Sequence, residues 1–405
     1  MSRSDSLLLA WENAIGEGMM KVVRTPDLFC QFIPSGYVEN STKVIIGHPF
    51  RKVSGASMAK ITMSQGAGGE RMQEFIREFV LKELDHDFGE IPLAALDDAA
   101  IIDGVAFTTD SYTVKPLFFP GGDIGVLSVA GTVNDLSVMG ATPVALSCAM
   151  IIQEGFPGED LHRIMRSISA TAKKAEVKIV TGDTKVVEKS AIDGLFINTS
   201  GIGSRSKALD HDIREVRKHR RFKWNWPNDS AIAAGDVLIA SGAIGNHGVA
   251  ILSFREGYGF ETTVKSDAMP LNHLIAAGLK VGGITAMKDP TRGGLANLLN
   301  EWADKSKVGI VVREEDIPID NAVLSACEML GIDPLEVGNE GKVVIAAVPE
   351  TSEAVLKAIR ARPEGKKARI IGEATKDVRG VMMETHTGGK RVIEPPVGDP
   401  VPRIC

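Results

Sequence analysis

Hydrophobic and polar positions along the chain form two blocks in which helical and strand periodicities alternate. In the first block, apolar residues recur at helical spacing from Met72 to Leu84, directly after a glycine-rich segment. The remaining pattern of this block predicts strands at 105–109, 144–152, 177–181 and 195–201 and helices starting near 122 and 160. Such alternation is typical of an α/β or α+β domain.

The second block, residues 231–384, has the same kind of pattern. It predicts strands at 237–240, 309–312, 343–348 and 368–372, and helices near 246–256, 271–281, 293–305, 320–330 and 352–362. Two blocks of similar size and build predict two domains, 58–204 and 231–384. A connecting segment, 205–230, joins them, and a tail, 385–405, follows the second domain.

Two segments lie outside this alternation. Residues 1–57 have no sustained period, so we expect a poorly ordered N-terminal extension, with a small accessory domain as the alternative. The connecting segment carries aromatic residues that could stack on bases, together with a basic run. Because this patch is short, we expect a solvated connection. The basic residues are Arg214, Arg217, Lys218, Arg220, Arg221 and Lys223.

The composition narrows the class of protein. The chain is 44% hydrophobic and 24% charged, as globular proteins are, and its net charge of -6 favours neither nucleic acid nor membrane surfaces as partners. The chain has no run of 18 apolar residues, so the sequence predicts no transmembrane helix. The four cysteines have no zinc-like spacing or disulfide framework, and the N-terminus resembles no signal peptide, so we expect a cytoplasmic location.

The last residue of the sequence, Cys405, follows a proline-rich segment. Four prolines between 395 and 402 exclude a helix or a central strand and predict a flexible, extended tail. From Gly389 onward the tail could span on the order of 50 Å, at about 3.1–3.3 Å per residue. A thiol at its tip is placed to carry a chemical group between sites. The alternative is a frayed terminus with an incidental cysteine.

Carboxylates are the clearest chemical signal elsewhere in the chain. Asp135 lies in a helix that is apolar on nearly every side, where a lone buried charge is costly unless it is paired or binds a metal. Asp98 precedes a strand, Asp110 ends one, and Asp289 opens a loop into a helix. Several aspartate oxygens suit Mg²⁺, which commonly also binds phosphate. Each aspartate taken alone could equally be a helix cap or a surface charge.

Glycines precede several helices, where free N–H groups favour anions. The segment Gly66–Gly69 is one such site, but neither the Walker A motif nor the Rossmann fingerprint is present. Any nucleotide site would therefore be of another type. Lys185, His247 and Glu340 lie in further loops that contain glycine, and each could be chemical or only part of a turn.

Taken together, these segments resemble the superfamily of aminoimidazole ribonucleotide synthetase, selenophosphate synthetase and thiamin-monophosphate kinase. The matching segments are 97–100 (DDAA), 109–111 (TDS), 134–140 (NDLSVMG), 182–185 (GDTK), 246–248 (NHG) and 288–294 (KDPTRGG). The ending Pro402-Arg403-Ile404-Cys405 resembles one member in particular, the HypE family of carbamoyl dehydratases in nickel–iron hydrogenase maturation. The resemblance covers residues 58–405 and omits the extension.

The resemblance implies a two-domain, aminoimidazole ribonucleotide synthetase-like fold. An N-terminal sheet domain would bind ATP and form a homodimer, and an α/β domain would follow. The implied activity is ATP-dependent dehydration of a carbamoyl group on Cys405 to a thiocyanate, which provides the cyanide ligand of hydrogenase iron. The implied partners are a HypF-type carbamoyltransferase, which loads the cysteine, and the HypC–HypD complex, which accepts the cyanide.

Residue roles follow from the same resemblance. Cys405 carries the amide, Glu340 is the candidate base, and Lys185 lies beside the amide. The Mg²⁺ candidates are Asp98, Asp110, Asp135 and Asp289. The ATP-binding candidates are Gly66, Gly68, Gly69, Asn134, Asp183, Thr184, His247 and Arg292. Gln65 stands where the family often has histidine, and it cannot act there as an acid or a cation.

Other functions remain open at this level. A selenophosphate synthetase would need a reactive cysteine or selenocysteine near the first glycine loop, and the chain has no cysteine between Cys30 and Cys148. A thiamin-monophosphate kinase would leave the tail unexplained. A non-catalytic scaffold that docks by its tail would bind its partners without ATP turnover.

Overall fold

The computed structural model describes residues 60–84, 87–255, 263–398 and 400–405, and the backbone of 20–23 and 31–34. The chain divides into two units, residues 1–59 and 60–405. In the first unit, β1 (Met20–Val23) pairs antiparallel with β2 (Gln31–Pro34). The predicted disorder of residues 1–57 otherwise concerns positions outside the described residues.

The N-terminal domain of the second unit contains a five-stranded mixed sheet with the spatial order β3-β4-β9-β7-β8, in which only β7 and β8 are parallel. Residues alternate between buried and more exposed in β4 and β9, so one face of the sheet covers the core. The strands are β3 (Ala100–Ile102), β4 (Val105–Tyr112), the short pair β5 (Phe118–Phe119) and β6 (Gly122–Asp123), β7 (Thr142–Gln153), β8 (Lys178–Val187) and β9 (Leu195–Ser204).

Among its described residues this domain contains α1 (Gly69–Ile76), α2 (Ile124–Val138) and α3 (Gly158–Lys174), and α4 (Lys207–His219) lies in the connecting segment. Helix α1 continues as a π-helical turn, Arg77–Leu81. Helix α2 is almost wholly buried and packs on α3, β4 and β9. Its N-cap residue, Asp123, accepts hydrogen bonds from Gly125 N (2.9 Å) and Val126 N (3.1 Å), and this capping starts the helix.

The connecting segment 205–230 is folded, and the expectation of a solvated connection is wrong. Helix α4 buries Leu209, Ile213 and Val216 on one face, and Trp226 after it is 2% exposed. Arg220 forms an ion pair with the buried Asp236. The basic residues dominate the composition of the segment, but three of the six lie on the exposed side of an amphipathic helix, so the buried apolar spacing was missed.

The C-terminal domain contains a seven-stranded sheet with the order β11-β13-β10-β14-β12-β15-β16, in which only β12 and β15 are parallel. All the predicted strands and helices of this block are present with small shifts at their ends. The strands are β10 (Val237–Ala240), β11 (Ile284–Lys288), β12 (Gly309–Arg313), β13 (Val344–Ala347), β14 (Arg369–Thr375), β15 (Val381–Glu384) and β16 (Lys390–Ile393). The helices are α5 (Asn246–Phe254), α6 (Asn272–Val281), α7 (Gly294–Ser306), α8 (Asn321–Leu330) and α9 (Pro349–Arg360).

The tail contains no helix or strand between residue 394 and Cys405 among its described positions, as its prolines predict. It docks against the rest of the second unit, because Val401 and Ile404 are at most 1% exposed. The mixed two-domain architecture confirms the predicted fold class. Among the described residues, no helix has both the length and the apolar character that a membrane span requires.

Candidate active site

A cavity of about 410 Å³ lies where the start of α1 meets the loop that leads into α7. It brings together five residues that the sequence analysis selected from separate segments. These are Gly68, Gly69, Asp98, Asp289 and Arg292. Gly66 ends a short 3₁₀ turn, Met63–Gly66, and is not among the residues that line the cavity.

The glycine loop has a backbone that requires glycine. Gly68 (φ 82°) and Gly69 (φ 67°) lie in the left-handed region, and a Cβ on Gly69 would collide with the carbonyl oxygen of Pro396 in the tail. Gln65 has a local structural role, because its side-chain oxygen accepts a hydrogen bond from Thr62 N (2.8 Å) in a capping box. The loop therefore lies between the cavity and the tail.

The four predicted magnesium ligands influence one another electrostatically. Burial raises the pKa of Asp135 well above its usual value, and Asp110, Asp289 and Asp98 raise it further. Burial and then Asp98 raise the pKa of Asp289 to about 7. Thr108 Oγ1 donates to Asp135 Oδ2 (3.0 Å), and Tyr112 OH donates to Asp110 Oδ2 (3.1 Å). The carboxylates are therefore crowded and buried enough that each opposes the ionisation of its neighbours.

This donor set fits Mg²⁺ in its chemistry. Carboxylate oxygens are the ligands that Mg²⁺ prefers, and the ion commonly uses one or two of them together with water and substrate phosphate. Within the described ranges, no three histidine, cysteine or acidic side chains form a cluster that could hold a metal by themselves.

Two lysines that the sequence analysis did not select form ion pairs with carboxylates of this region. Lys288 Nζ lies 3.0 Å from Asp98 Oδ1 and 3.1 Å from Asp229 Oδ2. Lys305 Nζ lies 2.6 Å from Asp229 Oδ2 and 3.2 Å from Asp97 Oδ1. Lys288 belongs to the KDPTRGG segment, so the sequence motif already contained this residue. Lys305 lies on α7 in no motif, and only the fold brings it to the site.

Glu340 is 2% exposed at the edge of the same acidic region. Burial raises its pKa well above the usual value, and Asp289, Asp267 and Asp110 raise it further, while Arg292 opposes them. Within the described part of the chain, its Oε1 has no hydrogen-bond partner. A buried carboxylate with high proton affinity and a free lone pair suits a general base.

The end of the tail docks on the segments around residues 113, 247 and 338 of the second unit. Thr113 N donates to the Cys405 carbonyl oxygen (2.9 Å), and His247 Nε2 lies 2.8 Å from the Ile404 carbonyl oxygen. The Ile404 side chain occupies the space beside Gly338, where a Cβ would collide with it. The tail is therefore packed on the loop that carries Glu340.

Two arginines form polar contacts between the tail and the rest of the second unit. Arg255 donates to the carbonyl oxygens of Pro402 and Arg403. Arg403 donates to Thr113 O (2.9 Å) and pairs with Asp193 (3.0 Å). These partners lie far from Cys405 along the sequence, so local sequence patterns contain no signal for them.

Several predicted ATP-binding residues have other contacts. Both ring nitrogens of His247 are occupied, by Ser266 and by Ile404, so His247 contacts the tail where the sequence analysis expected phosphate. The side chain of the buried Asn134 donates to Met269 O and Glu340 O and accepts from Leu271 N. It therefore connects two loops. Apart from the contact with Ser266, these contacts join segments more than 100 residues apart, and the ATP-binding roles of His247 and Asn134 stay predictions.

The GDTK segment lies on β8, an edge strand of the five-stranded sheet. Lys185 is on β8 and pairs with Asp183 at 2.7 Å, and both side chains are exposed. Thr184 on the same strand is also exposed. Among the described residues, no ion pair joins Lys185 to Glu340, so the predicted polar pair stays a prediction.

Comparison with protein families places the two domains. Residues 96–204 match the model of the AIR synthase related protein N-terminal domain, and residues 233–384 match that of the C-terminal domain. The chain therefore belongs to the AIR synthase-related proteins.

More specific relatives cover nearly the same part of the chain. A putative hydrogenase expression/formation protein of Methanocaldococcus jannaschii is 50% identical over 85% of this chain and all of its own length. Carbamoyl dehydratase HypE of Rhizobium leguminosarum bv. viciae is 45% identical over 85% of this chain and 95% of its own. Within the AIR synthase-related class, this chain belongs to the HypE family of carbamoyl dehydratases.

Solved structures agree with this placement. The HypE of a HypE–HypF complex is 43% identical, with a TM-score of 0.71, over 80% of this chain and 99% of its own. The hydrogenase maturation protein HypE in complex with ATP is 39% identical, with a TM-score of 0.68, over 85% of this chain and all of its own. These relatives confirm the predicted enzyme family, and the chain has a role in hydrogenase maturation.

Proposed function

We propose that the chain uses ATP to dehydrate a carbamoyl group on Cys405 to a thiocyanate. The observation that carries this proposal is the docked tail, in which Ile404 packs on Gly338 two residues before the buried Glu340. This packing of the residue before Cys405 on the Glu340 loop supports a reaction in which Glu340 accepts a proton from the cysteine-bound amide. A relative of 39% identity has been solved in complex with ATP, which supports ATP as the second substrate.

The chemistry requires an activated amide oxygen. The carbonyl oxygen of the S-carbamoyl group attacks the γ-phosphorus of ATP, ADP leaves, and the nitrogen gives up one proton. The C–O bond then breaks, the oxygen departs within phosphate, and loss of the second proton completes the C≡N bond. Glu340 accepts the first proton in this scheme, and the departing phosphate carries the second. The products are thiocyanate, ADP, hydrogen phosphate and the proton held by Glu340, so every atom is accounted for.

The cavity residues have matching roles in the proposal. Gly68, Gly69 and Arg292 would contact the phosphates, because a glycine-rich helix start and a guanidinium both favour anions. The four aspartates Asp98, Asp110, Asp135 and Asp289 would hold Mg²⁺. When bound, the ion neutralises charge on the transferred phosphoryl group.

The proposal includes partners. A HypF-type carbamoyltransferase would load Cys405, and a relative of 43% identity has been solved with HypF. The HypC–HypD complex would accept the cyanide. A homodimer formed through the N-terminal domains would cover strand β8, where Ile179, Val180 and Val186 are exposed in the single chain.

A single-turnover assay of ADP release tests this function. The wild-type chain, carbamoylated by its transferase, should release about one equivalent of ADP, and Cys405→Ala should release none above background. Cys148→Ala is the matched control, because Cys148 lies on β7 away from the tail. Equal ADP release by wild type and Cys405→Ala would contradict the proposal.

A further inference from the structure

His247 connects the tail to the body of the enzyme through both of its ring nitrogens. Its Nε2 lies 2.8 Å from the Ile404 carbonyl oxygen, which can only accept, so Nε2 carries the hydrogen. The ring is fully buried, and burial lowers the pKa of His247. In the neutral ring, Nδ1 is therefore an acceptor, and it receives the hydroxyl hydrogen of Ser266 at 2.8 Å.

Ser266 and its neighbour Asp267 extend this connection to the loop of Glu340. Ser266 Oγ also accepts from Ala268 N (3.1 Å), which fixes the turn that contains both residues. Asp267 Oδ1 accepts from Glu340 N (3.1 Å), and Asp267 Oδ2 lies 3.2 Å from Lys342 Nζ. A continuous path of hydrogen bonds and one peptide link thus runs from the Ile404 carbonyl to the backbone of Glu340.

Packing forms a second, independent link between the same parts. The Ile404 side chain lies against Gly338, and Val401 lies near Gly248, the residue that follows His247. Gly248 N donates to Gly338 O (3.2 Å), which joins the start of α5 to the Glu340 loop. A tail that leaves its place would therefore remove a hydrogen bond from His247 and an apolar contact from Gly338 together.

We infer that His247 is a positioning residue for the dehydration. Its Nε2–H holds the Ile404 carbonyl and, through Ser266 and Asp267, aligns the cysteine-bearing tail with the Glu340 loop. This inference rests on the proposed function. Because His247 lies between two neutral groups, its role is to orient, and it transfers no proton.

Two readouts on His247 variants test this role. The first is the rate of alkylation of Cys405 by iodoacetamide without nucleotide, quantified on the tail peptide by mass spectrometry. His247→Ala should raise this rate about tenfold, the effect of losing one hydrogen bond worth about 1.4 kcal/mol. His247→Gln keeps a donor near the position of Nε2 and should stay within about threefold of wild type. His273→Ala, which removes only an exposed contact with Lys174 O, is the control.

The second readout is single-turnover ADP release from the carbamoylated enzyme. His247→Ala and Ser266→Ala should both slow this step at least tenfold while leaving the Kd for ATP unchanged. A merely structural role would weaken ATP binding and lower the unfolding temperature as well. Ser266→Ala should change alkylation less than His247→Ala, because it keeps the contact to Ile404.

The outcomes distinguish the positioning role of His247 from the proposed dehydration itself. Wild-type alkylation and wild-type ADP release in His247→Ala would overturn the inference. If His247→Ala does not fold, His247→Gln and Ser266→Ala decide it, and a Ser266→Ala enzyme with a normal ADP burst would overturn it. Failure of the proposed function would show instead as an absent ADP burst in wild type, whatever the alkylation rates.

Discussion

Lys288 Nζ lies 3.0 Å from Asp98 Oδ1, so one proposed magnesium ligand is already paired with a buried lysine. The same nitrogen lies 3.1 Å from Asp229 Oδ2 and 3.5 Å from Glu301 Oε2. Burial lowers the pKa of Lys288, but Asp229 and Asp98 outweigh burial and raise it well above the usual value. Lys288 thus stays charged and partly compensates the acidic wall of the cavity.

Removal of this lysine should destabilise the protein. Lys288→Met leaves the buried Asp98 without its lysine partner and Asp229 with Lys305 alone, and breaking a buried pair costs about 3–5 kcal/mol. Urea unfolding followed by circular dichroism measures the loss. Lys307→Met, which breaks the exposed pair with Asp304, should cost less than about 1 kcal/mol. Equal losses in the two variants would show that the Lys288 network does not stabilise the fold.

Glu340→Gln should abolish ADP release and make stability less sensitive to pH. The folded-state pKa of Glu340 lies well above its ordinary value of 4.5, so between these two pKa values the folded protein keeps a proton that the unfolded chain loses, and Glu340 acts as a base only above this window. Wild type should therefore lose stability relative to Glu340→Gln as pH rises above 4.5, by about 1.4 kcal/mol per pH unit within the window.

Unfolding free energies of the two proteins at pH 5 and pH 8 measure this difference. Glu328→Gln, on an exposed position of α8, is the control and should follow wild type at both pH values. A constant gap between wild type and Glu340→Gln would mean that Glu340 is ionised throughout.

Asp135→Asn should abolish ATP cleavage and keep the fold. The substitution preserves the shape of the side chain and its contact with Thr108, but it removes one charge from the proposed metal site. Because burial and neighbouring carboxylates oppose ionisation of Asp135, the variant should be at least as stable as wild type. A folded Asp135→Asn enzyme with near-normal turnover would remove this residue from the metal site.

A chain without residues 1–57 should keep full activity. The family models begin at residue 96, and the division between the two units falls after residue 59. ADP release and the unfolding temperature of the truncated enzyme test this, with the full chain as reference. Loss of folding on truncation would show that the extension is structural.

Local sequence patterns predicted an element best where an apolar run is bounded by polar turns. The strand 237–240 agrees with β10, because a short apolar run stands between polar turns. Strand β11 was missed, since its five residues are all buried and show no alternation. Helix α4 was missed because its basic residues obscured the apolar spacing.

The residues of the candidate site also differ in whether the local sequence could predict them. Asp135 could be selected from its neighbours alone, because a carboxylate in an apolar helix is costly anywhere. The contact of His247 with Ile404 spans 157 residues, and Lys305 reaches Asp97 across 208. No periodicity or local motif reports such pairs, since only the packed tail and the assembled domains create them.

The most direct test of the account is the mass of the tail peptide after carbamoylation, with and without ATP. We predict a carbamoyl adduct on Cys405 that loses the mass of one water only when ATP is present. A carbamoyl adduct that keeps its mass in the presence of ATP would contradict the account and favour a scaffold that docks by its tail.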